Sequence, residues 1–204
     1  MTSRLSQNIS ERLTGWRERE LRVSQFDYEM TMMNVDPYVG YEMTLALDNY
    51  IVGIFEASIL LCGLALEEQL SLVYEKVTAK APNKRFLNKN GPVDVQDMKF
   101  SMLIDWAKGD GIIDSSWGDD AQTLEEIAAA RNLFAHANTI MADKMRKKVR
   151  SGFFKHLAPK QVNLGGLLIT TPELGFLRTE EATYNTIRHG SSILRRLHIY
   201  AGSI

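Results

Sequence analysis

Residues 119–138 read DDAQTLEEIAAARNLFAHAN, a stretch dominated by strong helix formers that nevertheless carries an Arg, an Asn and a His among its apolar residues. Asp119 or Asp120 can cap its start, and Glu125 and Glu126 lie near the positive end of the helix dipole. At 100° per residue, Leu124, Ile127, Ala128, Phe134 and Ala135 share one face, and Arg131 falls within it. An arginine there is costly unless it is paired. Asn132 and His136 are four apart, so they stack on the flank of the same helix. His136 lies about 140° round from Arg131, so the long Arg side chain must reach sideways to share a ligand with the imidazole. Arg131, Asn132 and His136 are therefore the candidate catalytic residues.

Outward from this stretch, residues 44–77 carry Val52, Phe55, Ile59, Cys62, Leu66, Leu70, Val73 and Val77 at three- and four-residue steps. The spacing predicts one long helix forming the spine of a bundle. Leu61, Ala65 and Leu72 add a second apolar face, which predicts burial on two sides and pairing with a second copy as a homodimer. Gly53 and Gly63 would permit close helix contact. The apolar run of residues 51–66 is short for a membrane span and holds Glu56, so no membrane crossing is expected. Glu67 and Glu68 interrupt the apolar surface, and one of them is the expected partner of Arg131. Sequence does not choose between the two.

The chain has 204 residues, 45% of them hydrophobic, enough for one core. Residues 1–36 are expected to form an amphipathic helical arm, with Leu5, Ile9, Leu13, Trp16 and Val23 packing on the bundle or on a partner. Residues 37–204 form the bundle, after a break at Asn34-Val35-Asp36-Pro37. No signal-peptide core is present, and the single cysteine, Cys62, reads as a buried thiol of a cytoplasmic chain. No residues have metal-ligand spacing and no phosphate-binding loop occurs, so neither metal nor cofactor is expected. Residues 81–92 read as a loop, 98–107 as a short helix, 163–176 as a loop or hairpin, and the last helix begins at Thr179. His156, His189 and His198 have no motif around them and are expected to be structural or exposed. The fold class predicted is all-α, a bundle of about five helices.

A formal net charge of -1 excludes a general basic coat, so nucleic-acid contact would have to be local. Lys144, Arg146, Lys147, Lys148, Arg150, Lys155 and Lys160 supply such a patch, with Asp143 the one acid among them. Lys144, Lys147, Lys148 and Arg150 are the candidate phosphate contacts, and Phe153 and Phe154 could stack an unpaired base. The alternative is a solvated helix end whose cations complement the dipole.

The segment Arg131-Asn132-Leu133-Phe134-Ala135-His136 resembles the motif of the HEPN superfamily, an Arg followed by a polar residue and then a His after four to six positions. The resemblance implies a helical bundle, two motifs facing one cleft in a homodimer, and metal-independent cleavage of single-stranded RNA in toxin–antitoxin, phage-defence or stress systems. It also implies an antitoxin or regulatory protein as partner. Some HEPN toxins paired with nucleotidyltransferase antitoxins have a Tyr two residues after the His, where this chain has Asn138. In the implied mechanism His136 takes the proton of a ribose 2′-OH or protonates the leaving 5′-oxygen, while Arg131 stabilises the phosphorane charge and Asn132 orients one of them. Across residues 44–140 the element order is also similar to the mannitol-repressor family, which implies regulatory contacts without catalysis.

Overall fold

The chain folds into α1 (Trp16–Met33), α2 (Pro37–Ile51), α3 (Phe55–Lys80), α4 (Phe100–Gly109), α5 (Asp119–Ala135), α6 (Thr139–Arg150) and α7 (Glu180–Ser203). This computed structural model describes residues 15–136, 139–157, 175 and 177–204, with backbone alone for 27–32 and 139–142. The class is all-α, with seven helices among the described residues rather than about five. One two-stranded antiparallel ribbon, β1 (Leu87–Asn88) and β2 (Gly91–Pro92), interrupts the expected loop. Leu5, Ile9 and Leu13 of the N-terminal stripe lie outside the described residues, as do 163–174 and Phe176 of the expected loop or hairpin.

The predicted helix over residues 44–77 is two helices that reverse direction at Gly53. Ile54 N–H donates to Asn49 O (2.7 Å) and Gly53 N–H to Tyr50 O (3.0 Å), with Gly53 at φ 79°. These two bonds close a left-handed helix end that a residue with a side chain disfavours. Gly53 therefore terminates α2. At the other end of α2, Pro37 occupies the first turn and the Asp36 side chain accepts Tyr38 N–H at 2.9 Å, as the sequence break suggested.

α3 is the spine. Ile59, Cys62, Ala65, Leu66, Leu70 and Val73 are fully buried, and α2, α4, α5 and α7 pack around it. Leu61 and Leu72 of the second apolar face are partly buried and pack against this core. By length and composition α3 could cross a membrane, but 56% of its most apolar 18 residues are buried in the bundle. Burial also pushes the Cys62 thiol up to about 12.

α7 starts on Thr179, whose side chain accepts Ala182 N–H at 3.2 Å, and buries Ile187, Ile193, Leu194 and Leu197. It crosses α3 at Gly190, where a Cβ would stand 2.5 Å from Cys62 Sγ. Gly190→Ala is therefore expected to destabilise the fold by about 1–3 kcal/mol through overpacking. Urea unfolding should show a smaller loss when the same change is made beside Cys62→Ala, which clears the space.

α1 docks on the bundle through Val23 and a set of ion pairs. Arg19 Nε donates to Ile51 O (2.9 Å), an unpaired carbonyl at the end of α2, and Arg22 bonds Glu180 (2.9 Å) and Glu181 (3.3 Å) at the start of α7. Trp16 itself is 43% exposed.

Candidate functional site

The motif helix begins at Asp119 as read, but its cap and its end differ from what the composition suggested. Gly118, at φ 54°, occupies the cap position, and neither Asp119 nor Asp120 caps α5. Asp120 instead faces α7, accepting Ser192 Oγ (3.0 Å) and pairing with Arg196 Nε (3.2 Å). At the other end α5 stops at Ala135, and His136 is the capping residue, its N–H donating to Asn132 O at 3.1 Å.

Arg131 is placed by Gly63. A Cβ on Gly63 would lie 2.7 and 2.8 Å from Cβ and Cγ of Arg131, so the Arg stem crosses the bare backbone of α3. The guanidinium then reaches one turn along α3 to Glu67, donating from Nη2. Glu68 points outward and is exposed, which settles the choice between them. Nη1 donates to Asn132 Oδ1 at 3.0 Å, while Nε is buried and has no partner among the described residues. Burial raises the Glu67 carboxyl, against the pull of Arg131 and of Phe100 N–H.

Glu42 of α2 adds a second acid beside this pair. Its Oε2 is buried without a partner among the described residues, and burial, then Glu68 and Glu67, raise its pKa above 4.5 while Arg131 lowers it. Between that ordinary value and the raised one, the folded chain holds more protons than the unfolded chain, so this group's contribution falls as pH rises. Glu42→Gln is expected to raise the urea midpoint at neutral pH and to give no gain well below the ordinary glutamate range. An equal effect at both pH values would mean that the carboxylate charge is not the cause.

Asn132 faces a groove of about 350 Å³ between α4, α5 and α6, walled by Asp105, Glu125, Ala128, Met145 and Lys148. His136 is exposed one turn beyond Asn132, and its ring bonds neither Arg131 nor Asn132. The structure thus joins Arg131 and Asn132 and leaves the His136 ring without a bonded partner among the described residues.

The basic segment divides in the same way. Lys144, Lys147 and Arg150 are exposed on α6, whose Met145 and Val149 are buried. Lys148 turns inward, with Nζ 4.0 Å from the centre of the Phe153 ring, and burial lowers its pKa against the attraction of Glu125. Phe154 is buried in the core and Phe153 packs edge-on against it at 5.2 Å. The two rings therefore do not form the expected base-stacking platform. Core packing has claimed one, and the other carries Lys148 on its face. Lys160 lies outside the described residues.

A second polar cluster was not expected from sequence. Glu126 is fully buried and accepts N–H groups from Lys155, His156 and Leu157, each at 3.0 Å. Its Oε1 also lies 2.9 Å from His156 Nδ1, and the His156 and His189 rings stand 6.2 Å apart. The signal available in the sequence was the charge at Glu126 on the face shared by Thr123, Ala130 and Leu133, all of them buried. The family models, the curated proteins and the solved structures give no match to this chain.

Proposed function

We propose that the protein binds and cleaves single-stranded RNA without a metal ion, in the manner implied by its resemblance to the HEPN superfamily. The observation that carries this is the groove at Asn132, with Lys148 on its wall and His136 exposed one turn beyond. An unstacked nucleotide seated there would bring its phosphate toward the end of α5. His136 would transfer the proton, and Arg131 would exchange Glu67 for a phosphoryl oxygen as charge develops on the phosphorane. One chain offers one motif histidine, so the second proton-transfer group is His136 of a second copy.

The ion pair of Arg131 with Glu67 favours a second reading, a non-catalytic regulatory or interaction protein similar to the mannitol repressor, in which Arg131 only ties α5 to α3. Incubation with unstructured RNA in EDTA separates the two. Cleavage of ordinary RNA together with resistance of 2′-O-methyl RNA fits the catalytic reading. Intact RNA under these conditions leaves the regulatory one.

Lys144 and Lys147 are exposed and serve as phosphate contacts in this scheme. Replacing both with Ala should weaken RNA binding uniformly across sequences and flatten the salt dependence by about 1.4, from two contacts at about 0.7 each. Lys148→Ala should change the slope less, because its ammonium is already held over Phe153. An unchanged slope in the double variant would make α6 a solvated helix with no phosphate contact.

A further inference from the structure

The groove at Asn132 has an order along its length that α4 and α5 impose. Lys108, near the end of α4, pairs with Glu125 in the second turn of α5. At the other end of α4, Phe100 N–H meets Glu67, the partner of Arg131. The two helices therefore run antiparallel. Both rise about 1.5 Å per residue, so Asp105, three residues back from Lys108, stands level with Ala128, and Ser101, seven back, stands level with Asn132. The pair of Lys108 with Glu125 marks one end of the groove. Ser101 and Asn132 mark the other, one turn from His136.

Most polar groups on these walls are already committed. Glu125 holds Lys108, and Asn132 Oδ1 accepts Arg131 Nη1 at 3.0 Å. A guanidinium only donates, so the part of the amide left over is Nδ2, with two hydrogens and no acceptor among the described residues. Lys148 holds its ammonium over Phe153 at 4.0 Å. Asp105 is the exception, exposed and with no hydrogen bond or ion pair among the described residues. Ile104, Ala128, Ala129 and Met145 complete the lining. The groove thus offers apolar contact to a flat ring, one unclaimed carboxylate on α4, and donors on α5 and α6. Its volume of about 350 Å³ suits one nucleoside, at the lower end of the range of about 300–1,000 Å³ for ligand sites.

We propose that this groove selects guanine, with Asp105 as the residue that reads the base. The inference rests on the reading of the same groove as an RNA site and adds which base it takes. A carboxylate accepts two parallel N–H groups, and among the four bases only guanine presents two adjacent donors, N1–H and the 2-amino group, on its pairing edge. Adenine and cytosine set one amino group beside a ring-nitrogen lone pair, and uracil sets one N–H between two carbonyls. Each of these turns a lone pair toward Asp105 and strips water from it without replacement. The O6 and N7 atoms of guanine accept, which suits the ammonium of Lys148. Ribose and phosphate then leave at the Ser101 and Asn132 end, where Nδ2 meets an oxygen and His136 stands one turn on. Cleavage falls beside guanine.

The test uses the full chain and fluorescein-labelled 2′-O-methyl pentanucleotides, which bind without being cut, read by fluorescence anisotropy in EDTA. UUGUU should bind about tenfold or more tightly than UUAUU, UUCUU or UUUUU. Inosine in place of the guanosine lacks only the 2-amino group and should forfeit much of that preference. Asp105→Asn should melt like the wild type, because the side chain is exposed and unpartnered among the described residues. It should also move the preference from guanine to xanthine, whose 2-oxo group meets the new amide N–H while N1–H still meets the amide oxygen. A general loss of folding or affinity does not produce that exchange. Equal or absent binding of the four sequences, or an undiminished guanine preference in Asp105→Asn, would overturn the inference. The ribonuclease reading fails separately, as ordinary RNA left intact by a protein that still prefers UUGUU. Cleavage at all four bases alike keeps the nuclease and removes the guanine site.

Discussion

Replacing Glu126 with Ala is expected to destabilise the protein by about 3–5 kcal/mol, the largest effect of any single polar substitution in the bundle. The carboxylate is fully buried and accepts the N–H groups of Lys155, His156 and Leu157. Alanine leaves three donors facing a cavity, at about 1–3 kcal/mol each for an unmade buried bond. Peeling of the turn into water recovers part of that sum. Glu126→Gln should lose less, because its amide oxygen still accepts while its NH₂ opposes the donors it meets. The measurement is the urea midpoint at unchanged slope. A loss below about 1 kcal/mol would mean that Phe154 and Leu157, both buried, hold the turn by packing alone.

His136→Ala should leave the fold and RNA affinity as they are, since the ring is exposed and bonds no neighbour among the described residues, yet reduce RNA cleavage about a hundredfold. That factor corresponds to about 2.7 kcal/mol of lost transition-state stabilisation. Arg131→Ala separates the readings from the other side. It abandons Glu67 and removes a cation that offsets the burial of Glu42, so a stability loss of about 2 kcal/mol is expected. The figure is below that for a fully enclosed pair because 17% of the Arg131 side chain and 20% of the Glu67 side chain reach solvent. If both variants cleave RNA at the wild-type rate, the motif is structural and the regulatory reading prevails.

Helix periodicity is local and was legible, as were the break before α2 and the start of α7, whereas the cap expected at Asp119 or Asp120 falls to Gly118. The stripe through Ile59, Cys62, Leu66, Leu70 and Val73 is buried as spaced, Asp36 and Pro37 start α2, and Thr179 starts α7. An acidic partner for Arg131 was legible too, because a charge on an apolar face requires one. Which acid it is, Glu67 over Glu68, depended on the rotation of α3 against α5, and Gly63 sets that rotation by letting the Arg stem cross the helix axis. Gly53 read in sequence only as a point of close helix contact within one long helix, and the helix end it forms between α2 and α3 emerged only in the folded chain. Phe153 and Phe154 looked like a platform because composition does not say which ring the core will take. The cluster of Glu126, His156 and His189 draws on positions up to 63 apart, and no spacing rule links them. Local sequence sets φ/ψ preference and which face is apolar. The pairing of polar groups is fixed only when helices from distant parts of the chain pack and the interior charges they carry must find one another.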